Sequence, residues 1–373
     1  MQHPIIDLVI GTRPEAIKLA SVAQALAQRG CSLRAICTGQ HPGLQLIDFD
    51  FPPIPRIDLR CVAETDPFDH AGRIAAAFER HMTPPPALVI CQGDTASAFG
   101  GAIAARKFSL PLAHVEAGLR SFDRHHPWPE EDFRVAIDRH AQLLFAPTEE
   151  AATNLRTQGV KGSVHVTGNS GVDMLKRRIA QLAPVQQSQD KALHLLVTCH
   201  RRENWGRPLD QVMAALSRLA MLGTYRIDVV MHPNPAIRCK WTKALGDHDN
   251  IVLHRALRHA EMLRAMRDAD LILSDSGGMQ EEAPYLGTPL FILRQRTERP
   301  EGIETGQLRL IGTDTDRIIE EVEQLFASPA RLAAMRAKAE PYGDGKAGQR
   351  IARIIADHFA RSSVRPAAAG SVR

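Results

Sequence analysis

The chain has little of what several common kinds of site are built from. Only 5% of its 373 residues are aromatic, which leaves few rings to stack single-stranded bases. Concentrated basic blocks are missing too. The 46 Lys and Arg against 42 Asp and Glu leave +4, an excess that suits a small anionic ligand better than a nucleic acid. Six cysteines (Cys31, Cys37, Cys61, Cys91, Cys199, Cys239) are scattered without a C-x-x-C pair or a His/Cys cluster. They read as reduced thiols, so neither a disulfide frame nor a metal site is expected. No apolar run approaches ~18 residues, and the N-terminus lacks a basic segment leading into a long apolar core, so no membrane segment and a cytoplasmic location are expected. H-E-x-x-H, Walker A and G-x-S-x-G are all absent, which removes the usual support for metalloprotease, ATPase and serine-hydrolase readings.

What is present is alternation. Apolar strand-like runs such as Ile5 to Ile10, Leu88 to Cys91, Leu195 to Thr198 and Leu271 to Leu273 are each followed by a helical stretch. That pattern predicts parallel βαβ units covered on both faces. At this length it predicts two doubly wound domains: residues 1–180, completed by a C-terminal helix over 345–361, and residues 190–344. The Gln-rich stretch Leu182 to Asp190 is the expected boundary, and residues 362–373 are expected to be a disordered tail. Two such domains place their strand ends toward a shared cleft.

The unusual polar residues fall just after the strands. Asp275-Ser276-Gly277-Gly278 turns a strand into a helix, and its glycines leave backbone N–H groups unobstructed for phosphate. Glu281 and Glu282 sit one turn further, where a carboxylate would repel phosphate but could hold sugar hydroxyls. Gly11-Thr12-Arg13-Pro14 follows the first strand; Gly11 permits a tight turn, and Arg13 and Lys18 can project cations. Asp94 and Glu116 follow neighbouring strands, where two acids in one pocket would have their pKa values pushed apart; the plainer reading of Asp94 is a helix N-cap. Prolines on both sides of Trp128 would hold Glu130 on an extended path. His200, followed by Arg201 and Arg202, can stabilise or protonate a leaving oxygen. His232-Pro233 reads as a turn. Arg296 and Arg299 lie in a basic loop near the Ser-Gly-Gly turn.

Eight blocks in order resemble the non-hydrolysing UDP-N-acetylglucosamine 2-epimerases: Gly11 to Lys18 (GTRPEAIK), Gly93-Asp94-Thr95, His114 to Arg120 (HVEAGLR), Trp128 to Glu131 (WPEE), His200 to Glu203 (HRRE), Asp275 to Pro284 (DSGGMQEEAP), Thr297 to Glu301 (TERPE) and Pro341 to Gly345 (PYGDG). The resemblance implies a GT-B-like fold of two Rossmann-type domains facing a central cleft, a homodimer, and no cofactor. It implies reversible inversion at C2 of UDP-GlcNAc to UDP-ManNAc, by UDP elimination and re-addition through 2-acetamidoglucal. It matches Asp94, Glu116, Glu130 and His200 to catalytic positions, and Arg13, Lys18, Ser276, Gly277, Gly278, Glu282 and Arg299 to substrate-binding ones. The pattern departs from the family at Phe133, where an Asn is usual, at Pro42-Gly43-Leu44, near the regulatory region of bacterial members, and at Met262, about where many relatives carry an aromatic. An epimerase for a modified UDP-sugar, a GT-B glycosyltransferase, a hydrolysing epimerase and a UDP-sugar sensor are the alternatives.

Overall fold

The structure, a computed structural model, describes residues 4–182 and 192–364. They form two compact units: one takes the chain up to Leu175 and again from Tyr342, and the other runs from Lys176 to Pro341. The first unit holds strands β1 (Ile5–Ile10), β2 (Ser32–Cys37), β3 (Arg56–Asp58), β4 (Leu88–Gln92), β5 (Leu112–Val115), β6 (Leu143–Ala146) and β7 (Ser163–Val166). They lie in the order β3-β2-β1-β4-β5-β6-β7, all pairs parallel. The second unit holds β8 (Leu193–Thr198), β9 (Tyr225–Val230), β10 (Ile251–His254), β11 (Leu271–Ser274), β12 (Leu290–Ile292) and β13 (Leu308–Leu310). Their order is β10-β9-β8-β11-β12-β13, again parallel throughout. Each unit is a doubly wound Rossmann-type sheet.

Burial on both faces explains the apolar runs. Ile6, Leu8 and Ile10 of β1 pack under Leu19 and Leu26, together with Ile351 and Ile355 of the C-terminal helix Ala347–Val364. Val9 and Val89 point the other way, against Ile74, Phe78 and Ala98. The alternation did not pick out β3, β6, β7 or β13. Three of these are edge strands of three or four residues with exposed positions, and β6 is four residues long. The C-terminal helix continues to Val364, so the tail expected from residue 362 begins inside a helix; residues 365–373, like 183–190 of the expected boundary, lie outside the described residues. No helix among the described residues is long and apolar enough to cross a membrane.

Each sheet reverses its winding once, between β1 and β4 in the first unit and between β8 and β11 in the second. Loops leaving such neighbouring strands diverge, which opens a crevice suited to ligands. In the first unit Glu15 bridges that divergence. Its Oε2 accepts from Gly11 N and Thr12 N, both at 2.6 Å, and from Thr12 Oγ1, while its Oε1 accepts from Thr95 Oγ1 after β4. Thr12 in turn caps the helix Arg13–Gln28 in a capping box with Glu15. Gly11 is required for close approach and not, as expected, for its turn. A Cβ there would lie 1.8 Å from Ser97 Oγ.

Burial pushes the Glu15 carboxyl up to about 7, against the pull of its hydrogen bonds. The unfolded chain gives up this proton near its ordinary 4.5, so the folded state loses stability as pH rises from about 4.5 to about 7, by on the order of 3 kcal/mol. Glu15→Gln keeps the backbone acceptor and can offer its amide N–H to Thr95, whose hydroxyl then accepts. The variant is expected to melt higher than wild type at pH 8, with the gap closing toward pH 5. A gap that does not vary across this range in thermal melts would show that Glu15 titrates normally.

Candidate functional site

The first unit gathers its candidate groups at the ends of β1, β4 and β5. Asp94 does not cap the following helix. Thr95 does, accepting from Ala98 N, which leaves the Asp94 carboxylate to pair with Arg134 of the helix Glu130–His140. Glu116 is held by Lys18 Nζ at 2.6 Å and by the Gln92 amide. Each acid thus meets a cation, Asp94 the Arg134 guanidinium and Glu116 the Lys18 ammonium.

Glu116 sits at φ +70°, left-handed backbone that a side chain adopts at a cost of order 1–3 kcal/mol and that tends to mark functional sites. The surroundings fix it there. Phe145 O of β6 accepts from both Glu116 N and Ala117 N at 3.1 Å. Behind it lies a fully buried network that sequence reasoning missed. One ring nitrogen of His114 lies 2.6 Å from Asp138 Oδ1 and the other 2.8 Å from Gly93 O. Asp138 Oδ2 accepts from Gly118 N and Arg120. Burial opposes the charge on Asp138, but His114 and Arg120 outweigh it and hold its carboxyl below the usual range. The network clamps Gly93, next to Asp94, and Gly118, two residues after Glu116. Its signal was present in the HVEAGLR block, but the partner Asp138 lies on a distant helix.

The Trp128 loop differs from expectation. Residues 124–129 form turns, not an extended path, and Glu130 is the first residue of its helix, half-buried. Its neighbour Glu131 is buried and accepts from Ser121 N and Phe122 N, so it holds the preceding loop. Phe133 stacks on Phe99 at 4.7 Å with Phe68 edge-on at 4.9 Å, an apolar cluster in place of an amide. Arg13 is exposed at the first turn of its helix.

In the second unit the loops after β8 and β11 are joined by Asp275. Its carboxylate accepts from His200 N, Arg201 N, Asn204 Nδ2 and Cys199 Sγ. Burial pulls the His200 pKa down, Asp275 opposes that, and nearby His232 adds to the fall. Near neutral pH His200 is therefore an uncharged imidazole that offers an N–H, not a standing cation. His232, read from sequence as a turn, lies with its ring centroid 5.8 Å from that of His200.

The helix Gly277–Leu286 is capped by Ser276, whose Oγ accepts from Met279 N, while Ser276 N donates to Ser274 Oγ. Of the three predicted cradle residues, Gly277 and Gly278 keep backbone N–H groups that no acceptor among the described residues takes. Such donors at a helix N-terminus suit a phosphate. Arg299 lies against Gly277, where a Cβ would come 2.8 Å from its guanidinium. It is already paired with Glu281 and Glu298, and an ionic chain continues from Glu298 through Arg294 to Glu203 of the His200 loop. Glu282 pairs instead with His259, Nε2 to Oε1 at 2.8 Å.

A family profile described as UDP-N-acetylglucosamine 2-epimerase matches residues 24–356. The UDP-N-acetylglucosamine 2-epimerase of Bacillus subtilis is 35% identical over 369 residues, covering 96% of each chain. A crystal structure of UDP-GlcNAc 2-epimerase from Neisseria meningitidis bound to UDP-GlcNAc superposes with a TM-score of 0.87 at 32% identity, covering 96% of this chain and all of that one. A sucrose-phosphate synthase from Thermosynechococcus elongatus, 14% identical with a TM-score of 0.63 over 97% of this chain and 99% of its own, shares the GT-B-like fold alone. With its profile match spanning most of the chain and relatives aligned over nearly their full length, this chain belongs to the UDP-N-acetylglucosamine 2-epimerase family.

Proposed function

We propose that this isomerase interconverts UDP-N-acetylglucosamine and UDP-N-acetylmannosamine by inverting C2, through elimination of UDP to an enzyme-bound 2-acetamidoglucal and its re-addition. The observation that carries this reading is the pair of carboxylates, Asp94 and Glu116, at adjacent strand ends of the first unit in a chain of this family.

Breaking the C1–O bond develops positive charge at C1 and negative charge on the departing diphosphate. The N–H groups of Gly277 and Gly278 are suited to stabilise that diphosphate, with Arg13 and Arg299 as cations and the His200 ring as a hydrogen-bond donor. Glu282 takes a hydroxyl of the nucleotide. One carboxylate among Asp94, Glu116 and Glu130 removes the C2 proton as UDP leaves, and another returns a proton to the opposite face as UDP adds back. Because the reaction is reversible, the base of one direction is the acid of the other, so both must reach either protonation state. The pairing of Glu116 with Lys18 and of Asp94 with Arg134 orients each oxygen. The step consumes no oxidant and needs no cofactor. The same reading carries a cytoplasmic homodimer that engages neither nucleic acid nor membrane.

Incubation with UDP-GlcNAc in deuterated water, followed by NMR, is expected to give UDP-ManNAc with deuterium at C2 and no free sugar. Undeuterated starting material with no second sugar nucleotide would refute the reading, and free N-acetylmannosamine would point to a hydrolysing enzyme. Glu116→Gln keeps the shape but cannot exchange a proton. It should lower the rate of C2 exchange by about 10²- to 10⁴-fold while UDP affinity, measured by calorimetry, stays close to wild type. Exchange at near wild-type rate would remove Glu116 from the chemistry.

A further inference from the structure

The two adjacent glutamates of the Ser-Gly-Gly helix have different partners, and the difference has a use. Residues four apart on a helix lie one above the other, and side chains lean toward the N-terminus. Glu281 thus shares a face with Gly277, where Arg299 also lies. Glu282 shares a face with Gly278 and meets His259, the first residue of the helix His259–Asp268. Both members of that second pair are only about one-fifth exposed, His259 at 24% and Glu282 at 19%.

The far side of the His259 ring decides its chemistry. Its Nδ1 faces the guanidinium of Arg178, and a guanidinium can only donate. Nδ1 must therefore accept, and the ring hydrogen sits on Nε2, where it is donated to Glu282 Oε1. Arg178 so fixes the tautomer, and His259 holds Glu282 through a neutral hydrogen bond. One carboxylate oxygen is anchored, and Oε2 is left to accept from a ligand. Glu281 instead faces the Arg299 guanidinium.

The geometry points to His259 as the positioning residue that presents Glu282 to the ribose hydroxyls of the bound nucleoside diphosphate, with Arg178 setting its tautomer. This inference rests on the reading of Glu282 as a nucleotide contact. Terminal carboxylate torsions are broad, so an unanchored Glu282 would have to be ordered by the ligand itself. Losing the anchor is expected to cost affinity by about 3- to 10-fold.

The test is calorimetric titration of the full-length protein with UDP and with 2′,3′-dideoxyuridine diphosphate, beside steady-state kinetics. His259→Ala should weaken UDP by that factor, leave the dideoxy analogue's affinity unchanged, and raise KM by more than it lowers kcat. His259→Gln carries an acceptor for Arg178 and a donor for Glu282, and should restore UDP affinity to within about twofold of wild type. Equal weakening of both nucleotides by His259→Ala would mean a general structural role and overturn the inference. Glu282→Ala separates the two levels. If it weakens UDP while His259→Ala does not, the inference fails and the Glu282 reading stands. If Glu282→Ala leaves UDP affinity unchanged, that reading fails and this inference with it.

Discussion

Two loops leaving neighbouring strands on opposite sides of a sheet have no ladder to hold them, and everything placed on them depends on what bridges the gap. In each unit the bridge is one carboxylate buried at the winding reversal. Glu15 ties the Gly11-Thr12 turn to Thr95. Asp275 ties the end of β11 to the backbone of His200 and Arg201. Both accept several backbone or side-chain hydrogens in place of water, which makes them tolerable when buried. Both stand within a residue or two of groups proposed to touch the substrate. Arg13 and Asp94 flank the first bridge, and His200 and Ser276 flank the second.

Around these bridges, charge is arranged in closed pairs. Asp94, Glu116 and Glu281 each meet a cation, and Glu298 meets three. Such pairs add little net stability once desolvation is counted, but they fix where each oxygen points. For proton transfer at carbon, orientation is the scarcer quantity, since the reacting atoms must be aligned before the barrier is reached. The strained backbone of Glu116 belongs to the same economy: two amides on Phe145 O and a clamp on Gly118 hold a conformation the residue would leave if free.

The strand–helix alternation and the positions of the polar motifs were legible because both are local. A doubly buried strand needs a continuous apolar run, and a loop after it needs glycine or a capping side chain, so Ile5 to Ile10 and Ser276-Gly277-Gly278 announce themselves. The edge strands β3, β7 and β13 did not, because half their positions face water and carry no pattern. Nor did the partners of the motif residues. Arg134 lies 40 residues from Asp94, and Asp138 lies 24 from His114, at spacings that no periodicity encodes. The Trp128 loop misled for the opposite reason: proline restricts a backbone without saying which of its permitted turns is taken.

By itself the sequence determined the α/β class, the order of the blocks and the family they resemble, since hydrophobic period and motif order are properties of the chain. The tertiary structure decided which charges meet. It gave Lys18 to Glu116 and Arg134 to Asp94, divided Glu281 and Glu282 between an arginine and a histidine, and left Gly277 and Gly278 with open N–H groups. Ionic and hydrogen-bonding partners are chosen by proximity in space, and only the packed sheets bring those residues within reach of one another.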